Sequence, residues 1–230
     1  GPESAFYIDA QGWVNENGDP GIDFGGGYRH LFDPLNSVIG VNTFFTFDQS
    51  RNSNTYRRYG FGGEWLTEFV TVTGNYYIPI DNGVTDLGSI VLGNDAFFSG
   101  NNLFYRNWQR GEVQLRGGDV EAGFTVPQAN WLSVFAGGYF FRGNEAQDVN
   151  GFQGRAQIDL NSVVLDFAFT RDSVYQNTFN AGIQYVLGPG IPQFTPRSRD
   201  LFTRLYDSVS HRRRAVLQNT LRETDELAIN

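Results

Sequence analysis

Apolar and polar residues alternate at a period of two in segment after segment, and this limits the possible folds more than any other feature. From Ser37 to Phe47 the odd positions read Ser37, Ile39, Val41, Thr43, Phe45 and Phe47, while the even positions include Gly40, Asn42 and Thr46. From Gly151 to Leu160, Phe152, Gly154, Ala156, Ile158 and Leu160 alternate with Gln153, Arg155, Gln157 and Asp159. Val163, Leu165, Phe167 and Phe169 alternate with Asp166, Ala168 and Thr170, and Phe179, Ala181, Ile183, Tyr185 and Leu187 with Asn180, Gly182 and Gln184. Residues two apart share one face of a strand, so each segment reads as a strand with one apolar side. About ten such segments precede residue 188, and helical spacing fits poorly before about residue 195.

Composition narrows the class. No run approaches the roughly 18 to 20 consecutive apolar residues that a membrane-spanning helix needs. The 28 Gly and 36 aromatic residues, with neither Cys nor Met, argue against coiled-coil, collagen-like and disordered chains. Without Cys there is no disulfide framework, thiolate metal site or cysteine nucleophile. All 17 basic residues are Arg, and the net charge of −8 has the wrong sign for binding a phosphate backbone, which argues against a nucleic-acid partner. The start, GPESAFYIDA, has neither a charged n-region nor an apolar h-region, which places any signal peptide outside these residues.

The links between segments suggest which β architecture applies. Polar links at NENGDP, QSRNSNT, residues 80–110, GNEAQDVN and RDSVYQ alternate with tighter ones at DPLN, Leu66-Thr67, PQAN and Leu160-Asn161-Ser162. Loops of alternating length describe an up-and-down antiparallel transmembrane β-barrel with long loops at one rim and short turns at the other. The expected lumenal polar network is Asp9, Asp23, Arg29, Arg58, Glu64, Glu112, Arg116, Arg155, Asp159 and Asp166, where Arg beside carboxylate forms an ion-pair lattice. The expected lipid-facing set is Ile39, Val41, Phe45, Phe61, Val70, Val72, Ile158, Leu165, Phe167 and Ile183. Trp13, Phe47, Trp65, Tyr76, Tyr77, Trp131, Phe140 and Phe141 fall near strand ends, where interfacial aromatic girdles belong. A solute channel and a soluble all-β binding domain remain open alternatives on these patterns.

Three blocks resemble the β-domain of intimin and invasin, the inverse autotransporters. They are IDFGGGYRHLFDPLNSVIGVNTFFTFDQ (Ile22 to Gln49), YRRYGFGGEWLTEFVTVTGNYYIPI (Tyr56 to Ile80) and GEVQLRGGDVEAGFTVPQANWLSVFAGGYFFRGN (Gly111 to Asn144). The second is the most specific, with Arg58, Gly60, Gly62, Gly63, Glu64 and Trp65 in fixed order. The resemblance implies an outer-membrane anchor and translocation unit that displays a C-terminal, adhesin-like passenger at the cell surface. It implies lipid, the barrel-assembly machinery during insertion and a passenger in cis as partners, with a monomeric barrel and no cofactor. The family barrel has twelve strands, so with about ten here either the first two are expected upstream of Gly1 or this branch closes differently, and residues 81–109 are long enough to add a hairpin.

Composition shifts after Leu187. GPGIPQFTP ends the strand pattern, and RSRDLFTRLYDSVSHRRRAVL (Arg197 to Leu217) reads as a basic segment, helical or extended. Residues 1–187 hold 10 Arg against 20 Asp and Glu, a net of −10, whereas residues 188–230 hold 7 against 5, a net of +2. The expected organisation is a barrel over residues 1–187 and a segment over 188–230. That segment is held in the lumen by charge-assisted hydrogen bonds, with Arg197, Arg199, Arg204, Arg212, Arg213 and Arg214 as its basic residues. In the family the corresponding linker crosses the pore. No catalytic constellation stands out. His30 and His211 lack triad context, Glu112 with Asp119 or Glu121 reads as part of the salt lattice, and NENGDPG and DQSRNSN miss the terminal Glu of a calcium loop. Gly25-Gly26-Gly27 suits close packing in a curved wall better than phosphate binding.

Overall fold

A computed structural model describes residues 3–14, 17–81, 83–160, 163–185, 200–207, 209–212 and 214–229. The GPGIPQFTP segment, Arg197, Arg199 and Arg213 lie outside these residues. The strands are β1 (Ser4–Val14), β2 (Pro20–Phe32), β3 (Ser37–Gln49), β4 (Thr55–Leu66), β5 (Val70–Pro79), β6 (Thr85–Ser99), β7 (Asn102–Gln114), β8 (Arg116–Thr125), β9 (Leu132–Arg142), β10 (Val149–Asp159), β11 (Val163–Asp172), β12 (Gln176–Tyr185) and β13 (Leu217–Ile229). The one α-helix among the described residues is a single turn, α1 (Leu201–Arg204).

The fold is all-β. Ten strands form one antiparallel up-and-down sheet in the order β1-β2-β3-β4-β5-β8-β9-β10-β11-β12, curled around the C-terminal segment. This is the wall of a β-barrel. β6 and β7 are not part of it, because β5 pairs directly with β8 from Val70↔Phe124 to Tyr77↔Gly117. The hairpin expected within residues 81–109 therefore exists, but it stands off one rim and pairs with β13 in a separate sheet ordered β13-β7-β6. β1 and β12 end the larger sheet, and no pairing joins them among the described residues. Hydrocarbon does not tolerate unpaired backbone groups, so closure requires further strands or direct contact between those two edges.

At the rim carrying the β6–β7 hairpin β1 also leads to β2, β3 to β4, β9 to β10 and β11 to β12, while β2 leads to β3, β4 to β5, β8 to β9 and β10 to β11 at the opposite rim. Apart from the hairpin, the contrast in length is weaker than expected: 173–175 is a three-residue turn, and 126–131 at the opposite rim is longer. Most of the loop asymmetry thus resides in one insertion.

The period of two sorts the side chains. Val41, Phe61, Phe167 and Ile183 are exposed on the outer face, with Ile39 beside them. Phe45, Val70, Val72, Ile158 and Leu165 share that face and are half-buried. Phe45, for example, packs on Phe47 and Tyr59. Asp23, Arg29, Thr46, Arg58, Glu64, Asn75, Asp119 and Glu121 are buried on the inner face. A globular core would have the reverse polarity, so this wall is built for an apolar exterior. At the triple glycine, a Cβ on Gly25, Gly26 or Gly27 would lie 2.3, 2.6 or 2.5 Å from the backbone oxygen of Thr43, Tyr7 or Val41 respectively. Only glycine allows the strands to approach so closely.

Three of the expected girdle aromatics face inward. Tyr77 and Phe141 are buried, and Trp13 is half-buried against Gly21. Neighbours in a strand point to opposite faces, so Tyr76-Tyr77 and Phe140-Phe141 each send one ring out and one in. Phe167 and Ala168 offer a direct test of the facing. Phe167→Arg places a charge on the apolar exterior and should destabilise the folded barrel by up to about 2–4 kcal/mol. Ala168→Arg enters a cavity of about 310 Å³ and should cost markedly less. Urea unfolding in lipid vesicles measures both, and equal losses would contradict the assignment of faces.

Candidate functional site

The site is the lumen, where the wall grips the C-terminal segment in three zones. The first is an apolar seal at the rim opposite the hairpin. Leu205, immediately after α1, is fully buried against Val38 and Leu66, with Ala5 and Leu31 packed alongside. Asp200 caps the single helical turn by accepting from the Thr203 amide at 2.9 Å. Arg204 is buried, donating to Thr71 Oγ1 at 2.5 Å and pairing with Asp207 at 2.9 Å.

The middle zone is polar. Arg29 on β2 forms a two-pronged pair with Glu64 on β4, Nε to Oε1 at 2.9 Å and Nη2 to Oε2 at 2.8 Å. Its remaining terminal nitrogen donates to the backbone carbonyls of Leu205 (3.2 Å) and Asp207 (2.5 Å). Tyr7 donates to the same Glu64 at 3.3 Å, and its ring lies under the Arg29 guanidinium. Asn75 bridges Asp119 (3.0 Å) and the Ser210 carbonyl (3.2 Å). Arg155 pairs with Glu121 (2.5 Å) and Asp166 (2.9 Å), stacks on Phe135 and donates to Ser210 Oγ at 3.2 Å.

Higher in the lumen, Arg58 stacks on Tyr77 and donates to the Arg212 carbonyl. The Arg212 amide donates to the Tyr77 hydroxyl at 2.6 Å, and its guanidinium reaches Gln153 at 3.1 Å. His211 lies against the Phe44 ring with Nε2 3.0 Å from Asp23 Oδ2. Asp48 accepts from the Ala215 amide at 2.8 Å, with Arg214 at 3.8 Å. The segment was expected to bring positive charge to an acidic lumen. Arg212 and Arg214 do so, but many of the closest contacts have the opposite sense: wall arginines donate to segment carbonyls.

The third zone is a second apolar seal, where Tyr77, Val113, Leu115, Tyr139, Phe141 and Val149 cluster with Val216 beside them. This explains the inward rings that girdle placement does not. Above it two links, 143–148 and 173–175, flank the departing chain. Tyr175 donates to the Leu217 carbonyl at 2.5 Å, the Gln147 amide donates to Gln218 Oε1 at 2.6 Å, and Arg222 meets Glu145 at 3.4 Å. Burial, and then the Asp172 carboxylate, push the Tyr175 phenol up to about 12, so the hydroxyl keeps its proton at physiological pH.

Most of the expected polar residues converge, with three differences. Arg116 is exposed, because the inward positions of β8 are the odd ones that include Asp119 and Glu121. Glu112 is buried but lies on β7, outside the wall, and bonds uncharged partners. Ser50 Oγ (2.7 Å), Asn52 Nδ2 (3.0 Å), Asn54 Nδ2 (3.3 Å) and the Tyr56 hydroxyl (3.0 Å) all donate to its carboxylate. Asp9 is half-buried and accepts from Gln11 rather than from an arginine. Asp159 is buried near the opposite rim. Sequence reasoning missed Asn75, Tyr77 and Asp48 as lumenal contacts, although each holds an inward register position.

The sequence matches the inverse autotransporter β-domain over residues 9–170. The chain belongs to that family. The inverse autotransporter β-domain is a bacterial outer-membrane domain, and the wall described above is its barrel. One similar solved chain comes from work called "Unveiling the Mechanism Behind the in-meso Crystallization of Membrane Proteins". It shares 13% identity and a TM-score of 0.65, covering 94% of this chain and 97% of its own. At that identity the likeness speaks to fold alone. Among curated proteins none matches.

The β-domain's Arg29–Glu64 pair provides the sharpest energetic test. Arg29→Met strands a buried carboxylate and two carbonyls, and should cost about 3–5 kcal/mol. Adding Glu64→Leu removes the stranded charge and should recover part of that loss, leaving the double variant more stable than the single. Unfolding in detergent, with proteolysis of residues 200–216 as a second readout, checks both. A double variant as unstable as the sum of the two singles would contradict the pairing.

Proposed function

We propose that this β-domain anchors the protein in the outer membrane and conveys a C-terminal passenger to the cell surface, with residues 200–216 as the linker through the pore. One observation carries the reading: the order of contacts along the segment. Leu205 contacts Val38 and Leu66 at one rim, Ser210 meets Asn75 and Arg155, Ala215 meets Asp48, and Leu217 emerges beside Tyr175 at the hairpin rim. A chain running once through the barrel has this sequence of neighbours; a tail folded over one end does not. The hairpin rim is then the extracellular one, and whatever follows residue 230 lies outside the cell. The barrel acts as conduit and tether rather than as a catalyst, inserting as a monomer with the assembly machinery and requiring no cofactor. Adhesion belongs to the passenger.

A solute channel is the second reading, favoured by the cavity between the segment and β10–β12, where Glu121, Arg155, Asp166 and Arg212 supply both signs of charge. The two readings differ in conductance and topology. Planar bilayers should register little current through the intact chain and a large increase when residues 200–216 are deleted. An epitope after Asn230 should be accessible on intact cells. A high basal conductance with an epitope confined to the periplasm would favour the channel.

A further inference from the structure

The wall does not need the β6–β7 hairpin. Its ladder passes from β5 to β8 without interruption, and the hairpin's strands are joined to β13 instead. β13 lies on β7 in antiparallel register from Leu217↔Gln114 at the base to Ile229↔Leu103 near the tip, eleven registered pairs with one irregularity between Glu223 and Glu226. Arg106 reaches Glu223 across this seam at 3.5 Å. The base of β7 is fixed to the β3–β4 link through Glu112, whose carboxylate takes four side-chain donors. A buried carboxylate satisfied in this way holds a strand in one orientation.

We propose that the β6–β7 hairpin is a capture template for the exported chain: it receives residues 217–229 as a third strand while they leave the pore and holds them against return. This rests on the export reading above and adds a working part to it. The pairing begins at the wall and runs outward in chain order, so each residue that emerges meets its partner beside the pair just made. Strand addition to an exposed edge draws on main-chain hydrogen bonds and is therefore tolerant of sequence. The segment fits this mode, since Gln218, Asn219, Thr220, Arg222 and Glu223 would not form an apolar strand face of their own. Pairing also gives the outgoing chain a fixed direction, away from the membrane along the hairpin.

The test uses the full chain with an epitope after Asn230, expressed in the outer membrane. In one variant residues 87–109 are replaced by a short Asn-Gly turn, which leaves Glu112 and every β5–β8 pair in place. In a second, T220P with L221P, the hairpin is intact and two successive amides of β13 are removed, so the one facing β7 is lost whichever it is. Both should insert as heat-modifiable barrels but show a several-fold slower appearance of surface epitope and a larger periplasmic share. Oxidation of a paired R110C/L221C variant, in a chain with no other cysteine, should form the cross-link only as the epitope emerges. Display by both variants at the wild-type rate overturns the hairpin's role while leaving the export reading standing. A wild-type chain with no epitope outside overturns the export reading and this proposal together. If the deletion variant fails to insert, the proline variant decides.

Discussion

An extended chain inside a barrel has no neighbouring strand to satisfy its amides and carbonyls, and much of this lumen answers that constraint. Arg29, Arg58 and Asn75 donate to carbonyls of the segment, while Asp48 and Tyr77 accept from its amides. Burying an unpaired peptide group is costly, so such donors and acceptors are required wherever water is scarce. The arginines perform a double task. Each needs partners for its own charge, and Arg29 obtains them from Glu64 on one side and from the threaded backbone on the other. Removing either element would leave the other under-satisfied, which couples the wall's internal lattice to the presence of the chain.

Apolar seals flank this polar zone. Leu205 among Val38 and Leu66 closes one end, and Val216 beside Tyr77, Phe141 and Val149 closes the other. Between them the contacts are directional and fixed in position. A plug held only by charge would be free to slide, and one held only by apolar contact would have no register. The combination places one stretch of chain at one depth.

The wall was legible in the sequence because a period of two along ten strands is difficult to produce otherwise, and the faces of Val41, Phe61, Arg58 and Glu64 follow from it directly. What the pattern does not encode is position along the barrel axis. Tyr77 and Phe141 looked like interfacial rings because they neighbour Tyr76 and Phe140, yet strand parity sends them into the lumen. β13 was missed for a different reason. Its Leu217–Ile229 sequence lacks a consistent apolar face, and what places it is backbone pairing with β7. Between the helical and extended forms that the tail sequence left open, the described residues are helical only over Leu201–Arg204, because those beyond it give their backbone groups to the wall.

The insertion between β5 and β8 leaves the strand count and shear of the barrel unchanged, since β5 pairs directly with β8 and the hairpin adds no strand to the wall. Its length can therefore vary without altering the diameter of the pore or the fit of the threaded chain. A protein built this way can evolve, or be re-engineered, at its outer edge in two-residue steps, lengthening or shortening the platform that the departing polypeptide meets. The membrane-embedded part would have nothing to re-optimise.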